Sequence, residues 1–338
     1  MNQRHGRSDP AHTHYIDKLF RKVATCLVGL ILVAAQATVL AQDYPSKPVR
    51  VILTMQAGPL DTFVRLVTEK MALRLKQPFV VESRPGAGGN IAASAVARAD
   101  SNGLTVLFTN DTTLTVNPSL FSQLNFDPER DFIPVSVLAT FSQLLVVNPK
   151  IPAQSLGDLV AASRERQLTF SSSGNGTPSH LAFAYLQSIT GIKAMQIPYK
   201  TNPEASMAII SGDVDAAMAI AMGLMPHVRA GRLRSLAYSG RKRSLIAPEF
   251  PTVAESGYPS FEVEFAFVLL VPAGTPEKIV TTLYLEASRA VASPDIAEKL
   301  KALDLTPTAL PPAESTVWLR AARQKWGTLI RENKLHND

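Results

Sequence analysis

The sequence is almost free of cysteine, since Cys26 is the only one among 338 residues. It lies in an apolar run near the N-terminus, and the residues that follow contain no other. Disulfide staples, thiolate zinc sites and cysteine nucleophiles are therefore excluded for everything beyond that run. A chain without thiols has nothing to misoxidise, which suits an oxidising compartment.

Catalytic motifs and histidine clusters are also missing. Beyond the N-terminal segment only His180, His227 and His336 remain, and none has the spacing of a paired metal site. The run from Gly86 to Ile91 breaks the GxGxxG dinucleotide pattern at its last position, and no phosphate-binding GxxxxGK motif occurs. Ser173 lacks the glycine two positions earlier that a nucleophile elbow requires. The sequence therefore predicts neither an enzyme nor a cofactor.

A strong charge of one sign is absent once the N-terminal segment is set aside. The whole chain has 34 basic and 28 acidic residues, a net charge of +6. Residues 1–41 hold five of the basic and two of the acidic ones, so the remainder carries only +3. So mild a balance argues against nucleic acid as a partner.

The N-terminus has the order of a signal peptide. Basic residues dominate up to Lys22, an apolar run follows from Val23 to about Ala35, and Val39 and Ala41 supply small residues at −3 and −1 of a cut. We expect residues 1–41 to be removed on export to the periplasm. The alternative is a retained anchor, because residues 23–41 are nearly long enough to span a bilayer.

The rest of the chain alternates strand-like apolar runs with helical patterns, which predicts an α/β fold. Val49–Leu53 and Phe79–Glu82 are typical of buried strands, and Asp61–Lys76 between them has an apolar helical stripe. Short glycine- and proline-rich loops join these elements, as in mostly parallel sheets flanked by helices. Residues from Pro276 onward have a helical pattern.

Two long strand-like segments bracket the middle of the chain and predict two lobes. They lie near residues 135–147 and 261–271, where the chain would leave one lobe and later return to it. We therefore predict lobe 1 over 43–143 and 265–338, and an inserted lobe 2 over 144–264. The two crossing segments would form a hinge.

Each predicted lobe carries a glycine- or serine-rich loop between a strand and a helix. Lobe 1 has two, Gln56–Asp61 and the glycine loop, Pro85–Asn90. Lobe 2 has the serine loop, Ser171–Thr177. Backbone N–H groups at a helix start are unpaired and bind anions, and glycine allows close approach. A purely structural role is open for each loop, because Asp61 and Thr177 are also good helix N-caps. Asn202 is the expected cap of a later helix, with Pro203 in its first turn.

The sequence resembles the Bug receptors, the periplasmic substrate-binding proteins of tripartite tricarboxylate transporters. The resemblance extends from Tyr44 to about Trp326. The matching stretches are Tyr44–Arg50, Glu82–Ile91, Val116–Leu120, Val146–Pro149, Ser172–Thr177, Ile197–Lys200, Pro251–Gly257 and Pro272–Pro276.

The resemblance implies a two-lobe, type II periplasmic-binding fold that closes on a small carboxylate and passes it to a membrane permease. It implies a monomer that performs no chemistry. The ligand-binding residues that it implies are Ala57, Gly58, Asp61, Thr62, Asn110, Thr112, Thr113, Ser172, Ser173, Asn175, Thr177 and Tyr199, with Lys200 as a further candidate. A sensor subunit for a two-component system would use the same clamp and stays open as an alternative.

Three departures from the family pattern concern the site. The first loop loses a glycine and gains Pro59, which has no N–H to donate. Ala219-Ile220 stands where the family often has Asp-Asn, and Thr201 where it often has glycine. These changes predict a ligand that is less polar than usual or differently bound; a receptor with a degenerate site is the other interpretation.

Overall fold

The computed structural model describes residues 44–55 and 58–333. In chain order its strands are β1 (Val49–Leu53), β2 (Phe79–Ser83), β3 (Thr105–Asn110), β4 (Phe132–Phe141), β5 (Leu144–Val147), β6 (Leu168–Ser172), β7 (Ala194–Pro198), β8 (Ala216–Ala219), β9 (Arg234–Tyr238), β10 (Phe265–Pro272) and β11 (Leu305–Pro307). Its α-helices are α1 (Pro59–Leu75), α2 (Asn90–Ala97), α3 (Thr112–Thr115), α4 (Asn117–Leu120), α5 (Leu156–Glu165), α6 (Pro178–Thr190), α7 (Asn202–Ser211), α8 (Ala221–Arg229), α9 (Glu277–Val291), α10 (Pro294–Ala302) and α11 (Pro312–Glu332). The leader and Cys26 lie outside the described residues.

The strands form two mixed sheets, each with helices packed against it. The first has the order β11-β4-β10-β3-β1-β2 and the second β7-β6-β8-β5-β9. Pairing is parallel within β1, β2 and β3 and within β6, β7 and β8, and antiparallel elsewhere. The expected parallel pairing therefore holds in one half of each sheet. In the other half β10 runs antiparallel to both β3 and β4, and β5 to both β8 and β9.

Each sheet has its own hydrophobic core. Ile52, Leu107 and Val268 belong to a buried cluster on the first sheet, while Val146 and Leu224 belong to one on the second. Burial of such clusters is the main favourable term in folding. Among the described residues no helix is long and apolar enough to cross a membrane.

The chain passes between the sheets twice, and the two crossings are bonded to each other. Only Ser142 and Gln143 separate β4 from β5, whereas residues 239–264 lead from β9 back to β10. Gln143 N donates to Ser239 Oγ (2.8 Å), and both Ser142 Oγ and Ser239 Oγ donate to the Val263 carbonyl (3.0 Å each). The crossings thus lie side by side at one place.

Several local expectations need correction. The first helix begins at Pro59 with Gly58 as its N-cap, because proline suits the first helical position. Asp61 is therefore not a cap; it lies inside the first turn. Thr201, not Asn202, caps α7, and its Oγ1 accepts from Glu204 N (3.3 Å). The C-terminal region is not wholly helical, because β11 adds a three-residue edge strand too short to leave a periodic pattern.

Candidate ligand-binding site

A cavity of about 870 Å³ lies between the two sheets. On the first sheet it is lined by residues that follow or end β1, β2 and β3, and on the second by residues that follow or end β6, β7 and β8. The strands in each trio are parallel, so their carboxyl ends meet at one edge. Ligands of open α/β sheets bind at such edges.

The glycine loop approaches the rest of the first sheet too closely for side chains. Gly89 has φ of 94°, and a Cβ there would lie 2.6 Å from Thr113 Oγ1. Asn117 Nδ2 donates to the Gly88 carbonyl (2.9 Å), and Thr113 Oγ1 donates to the same oxygen (3.2 Å). The loop is therefore held through its own backbone, and its glycines permit the contact.

A buried chain of threonine hydroxyls continues from this loop. Thr113 Oγ1 lies 2.7 Å from Thr109 Oγ1, which lies 3.0 Å from Thr54 Oγ1. These hydroxyls join the ends of β1 and β3 to the glycine loop, and the result is a rigid wall on the first-sheet side of the cavity.

Asn110 presents a polar atom that the fold leaves unsatisfied. It lines the cavity and is only 8% exposed. Its Nδ2 contacts Met55 Sδ (3.2 Å), while its Oδ1 has no hydrogen-bond partner among the described residues. A buried polar atom without a partner is costly, so this amide is suited to contact a ligand or an ordered water.

Asp111 anchors the segment that follows β3. It is fully buried, and its Oδ1 accepts the N–H of Ala266 (2.9 Å) while Thr115 Oγ1 donates to Oδ2 (3.2 Å). Burial raises the pKa of Asp111 to about 7. This carboxyl ties the end of β3 to the start of β10.

The serine loop is held by its own side chains. Ser179 Oγ accepts from Ser173 N (3.1 Å), and Thr177 Oγ1 donates to the Gly174 carbonyl (2.7 Å). Thr177 occupies the N-cap position of α6, but its side chain does not cap the helix, contrary to expectation. The reason is that its hydroxyl turns back onto the preceding turn, a local alternative open to threonine.

His180, in the first turn of α6, bonds to the serine loop. It is 8% exposed, and its Nδ1 accepts the N–H of Gly176 (3.1 Å). Burial lowers the pKa of His180 to about 4. The imidazole is therefore neutral at pH 7 and acts as a structural acceptor.

The charge in the cavity is small and positive. Among its described lining residues only Lys200 and His227 are basic, and none is acidic. Burial, and secondly the positive charge of Arg232, lowers the pKa of His227, so this imidazole is neutral at neutral pH. Lys200 is therefore the residue that supplies the positive charge.

The cavity brings together seven of the predicted ligand-binding residues, namely Gly58, Asn110, Thr112, Thr113, Ser173, Asn175 and Thr177. Four others are not among its lining residues. Asp61 Oδ1 and Oδ2 accept from Arg65 (3.0 Å each), and Thr62 Oγ1 donates to the Gly58 carbonyl. Ser172 is buried with its Oγ accepting from Gln196 (2.6 Å), and Tyr199 packs on the second core. Ala57 lies outside the described residues.

Sequence reasoning missed the apolar part of the lining. Pro203, Met207 and Ile210 of α7 line the cavity, as do Phe141 and Phe267. The spacing of the three α7 residues marks one helix face. That signal does not distinguish a core face from a cavity face, because both are apolar.

The fold and the cavity together define a two-lobe, type II periplasmic-binding-protein-like molecule. The chain belongs to the tripartite tricarboxylate transporter receptor family, whose model matches residues 63–335. This is a solute-binding receptor family, and the resemblance to Bug receptors is confirmed.

Solved structures of similar proteins agree with this assignment. Rpa4515 of R. palustris with adipate has 28% identity and a TM-score of 0.81, with 86% of this chain and 99% of that chain covered. MatC from Rhodopseudomonas palustris with bound malate has 28% identity and a TM-score of 0.78, covering 85% and 100%. The periplasmic binding protein BugD has 26% identity and a TM-score of 0.79, covering 87% and 100%.

Proposed function

We propose that the protein is a periplasmic receptor that binds a small carboxylate between its lobes and delivers it to a transporter permease. The observation that carries this proposal is the cavity itself. Six strand ends supply hydroxyls and loop backbone, Lys200 supplies a positive charge, and no described lining residue is acidic. Adipate and malate in similar structures support a carboxylate.

The test is a thermal-shift and calorimetric screen of small carboxylates against matched uncharged amides. A ligand at 100 times its dissociation constant adds about 2.7 kcal/mol to the free energy of unfolding. We expect at least one acid to raise the melting temperature while its amide does not. Equal effects of acids and amides would contradict a carboxylate site.

We propose that the ligand contacts Gly58, Asn110, Thr113, Ser173 and Asn175, and that it leaves chemically unchanged. The seven predicted residues that line the cavity support these contacts. NMR of the acid after prolonged incubation with the protein tests whether the ligand is changed, and we expect to recover the intact acid. Recovery of a converted product would instead indicate an enzyme.

We propose that lobe 1 (43–143 and 265–338) and lobe 2 (144–264) close around the ligand. The paired crossings at Ser142–Gln143 and Ser239 support a hinge there, since domain closure changes a few backbone angles at such points. Small-angle scattering of the monomer should show a smaller radius of gyration with ligand. An unchanged radius with a bound ligand would mean a rigid site.

We propose that export removes residues 1–41. The order of basic, apolar and small residues supports this, as does the periplasmic location named for BugD. N-terminal sequencing of protein from the periplasm should begin at or near Gln42. A full-length product in the membrane fraction would instead favour a tethered receptor.

A further inference from the structure

One part of the second-sheet side of the cavity is apolar. Five residues on the second-sheet side form what we call the apolar wall, and they are Met207, Ile210, Ala219, Ile220 and Met222. They come from one face of α7, the end of β8 and the start of α8. Met207 is 57% exposed, the only large exposed hydrophobic side chain in the described chain that lines the cavity. An apolar side chain left in contact with water at a binding site is covered favourably by an apolar ligand group.

The first sheet adds aromatic surface to the same cavity. Phe141 and Phe267 line it, and their rings pack 4.8 Å apart. Both side chains are almost fully buried, so the shape of this surface is fixed by the core. The polar lining groups lie on both sheets: the glycine loop, Thr54, Asn110, Thr112, Thr113 and Gln143 on the first, and the serine loop, Lys200, Thr201, Asn202 and Ser206 on the second.

The charge of the lining matches one carboxylate. Lys200 is the single positive charge at neutral pH among the described lining residues, and no arginine is present. A second carboxylate placed against the apolar wall would lose its water and gain no hydrogen-bond donor from these five side chains, which is costly. An apolar group placed there gives up no hydrogen bonds to water, and it buries apolar surface against the wall.

We infer that the site selects a monocarboxylate with an apolar body over a dicarboxylate of the same length. This inference rests on the proposed carboxylate-receptor function and names the class of acid. It follows from the apolar wall, the two phenylalanines and the single lysine acting together.

The first experiment compares acids that differ only in the second carboxylate. Calorimetry of the exported protein would measure hexanoate against adipate, and 4-methylbenzoate against terephthalate. We expect the monoacid of at least one pair to bind ten times more tightly or better. Equal or tighter binding of both diacids would overturn the inference while keeping the carboxylate receptor. Binding by none of the acids in a wider screen would overturn the receptor function and the inference with it.

The second experiment places a polar group on the apolar wall. Ile220 is half-buried at the N-cap of α8, where it makes no side-chain cap bond. Asparagine is favoured at N-caps, so Ile220→Asn should leave the melting temperature unchanged or raise it. We expect the ratio of adipate to hexanoate affinity to rise at least fivefold.

Leu73→Asn is the matched control, because Leu73 is an exposed leucine on α1 outside the cavity lining. It should leave the ratio unchanged. Met207→Gln is an independent test, because the Met207 side chain is exposed and its replacement should not disturb the core. This variant should weaken hexanoate binding at least threefold. An unchanged ratio in Ile220→Asn together with unchanged hexanoate binding in Met207→Gln would show that the apolar wall does not select the ligand.

Discussion

The glycine loop and the serine loop face one cavity from opposite sheets, yet they are held in opposite ways. In the glycine loop the carbonyl of Gly88 is fixed by donors from elsewhere, Thr113 and Asn117. In the serine loop the side chains of Ser179, Thr177 and His180 bond to their own neighbours in the chain. Loops of similar composition, rich in small residues, can therefore differ in kind: the shape of one depends on the rest of the fold, whereas the other is largely held by bonds to residues close to it in the chain.

The largest expected effect is a substitution that removes the close approach in the glycine loop. Gly89→Ala places a methyl group 2.6 Å from Thr113 Oγ1 at a positive φ. We expect the free energy of unfolding to fall by about 4 kcal/mol, from backbone strain and overpacking together. Denaturant unfolding measures this. Gly191→Ala is the control, because Gly191 is also left-handed (φ 74°, ψ 14°) and has nothing within 4 Å of the added Cβ; it should lose only about 1–2 kcal/mol. Equal losses would mean that crowding is unimportant.

Acid should loosen the serine loop through His180. Its pKa is lowered from 6.5 to about 4 in the fold, so the unfolded chain binds the proton first. The stabilisation is fully present above pH 6.5 and is lost as the pH falls toward 4, by about 3 kcal/mol in all. Unfolding measured across this window should show the loss.

The matched variant for this prediction is His180→Asn, which keeps an acceptor for Gly176 N–H but cannot titrate. The difference between the two proteins isolates His180 from Asp111, whose pKa is raised from 3.8 to about 7 and which therefore makes an opposite contribution across the whole window. Parallel pH curves for the two proteins would contradict the assignment.

Ser173 tests whether the serine loop also contacts the ligand. Ser173 Oγ lies 3.3 Å from Ser179 Oγ, and a hydroxyl with this one long contact keeps hydrogen-bonding capacity toward the cavity. A hydrogen bond to a charged group contributes about 1.5–3 kcal/mol, so Ser173→Ala should weaken binding by about 10- to 100-fold. Calorimetry measures the affinity, and the melting temperature should stay nearly constant. Normal affinity would make this loop purely structural.

The smallest effect is expected at Thr177. Because its hydroxyl bonds to the Gly174 carbonyl and does not cap α6, Thr177→Ala should cost about 1 kcal/mol of folding free energy, the net value of one neutral hydrogen bond. Thr177→Ser keeps the hydroxyl and should restore most of this stability. Thermal unfolding of both variants tests this. If Thr177→Ser loses as much stability as Thr177→Ala, the stabilisation comes from the threonine methyl group and not from the hydroxyl.

Periodicity and loop composition predicted much of the fold. The alternating pattern indicated α/β layers, and the apolar runs near residues 135–147 and 261–271 coincide with the strands that adjoin the two crossings. These features are local, because a buried strand needs consecutive apolar residues wherever it lies. The direction of β10 was not predictable in this way, since it is defined relative to β3 and β4, which lie far away in the chain.

Local sequence is enough to show which loops can approach an anion, because glycine permits close approach and serine and threonine carry donors wherever they occur. Only the tertiary structure shows that Asn110 Oδ1 has no partner among the described residues, that Asp111 accepts from Ala266, and that Met207 faces a cavity. The physical reason is that partners, burial and cavity walls come from residues far apart in the chain. Only packing of the two sheets brings those residues within hydrogen-bonding or van der Waals distance.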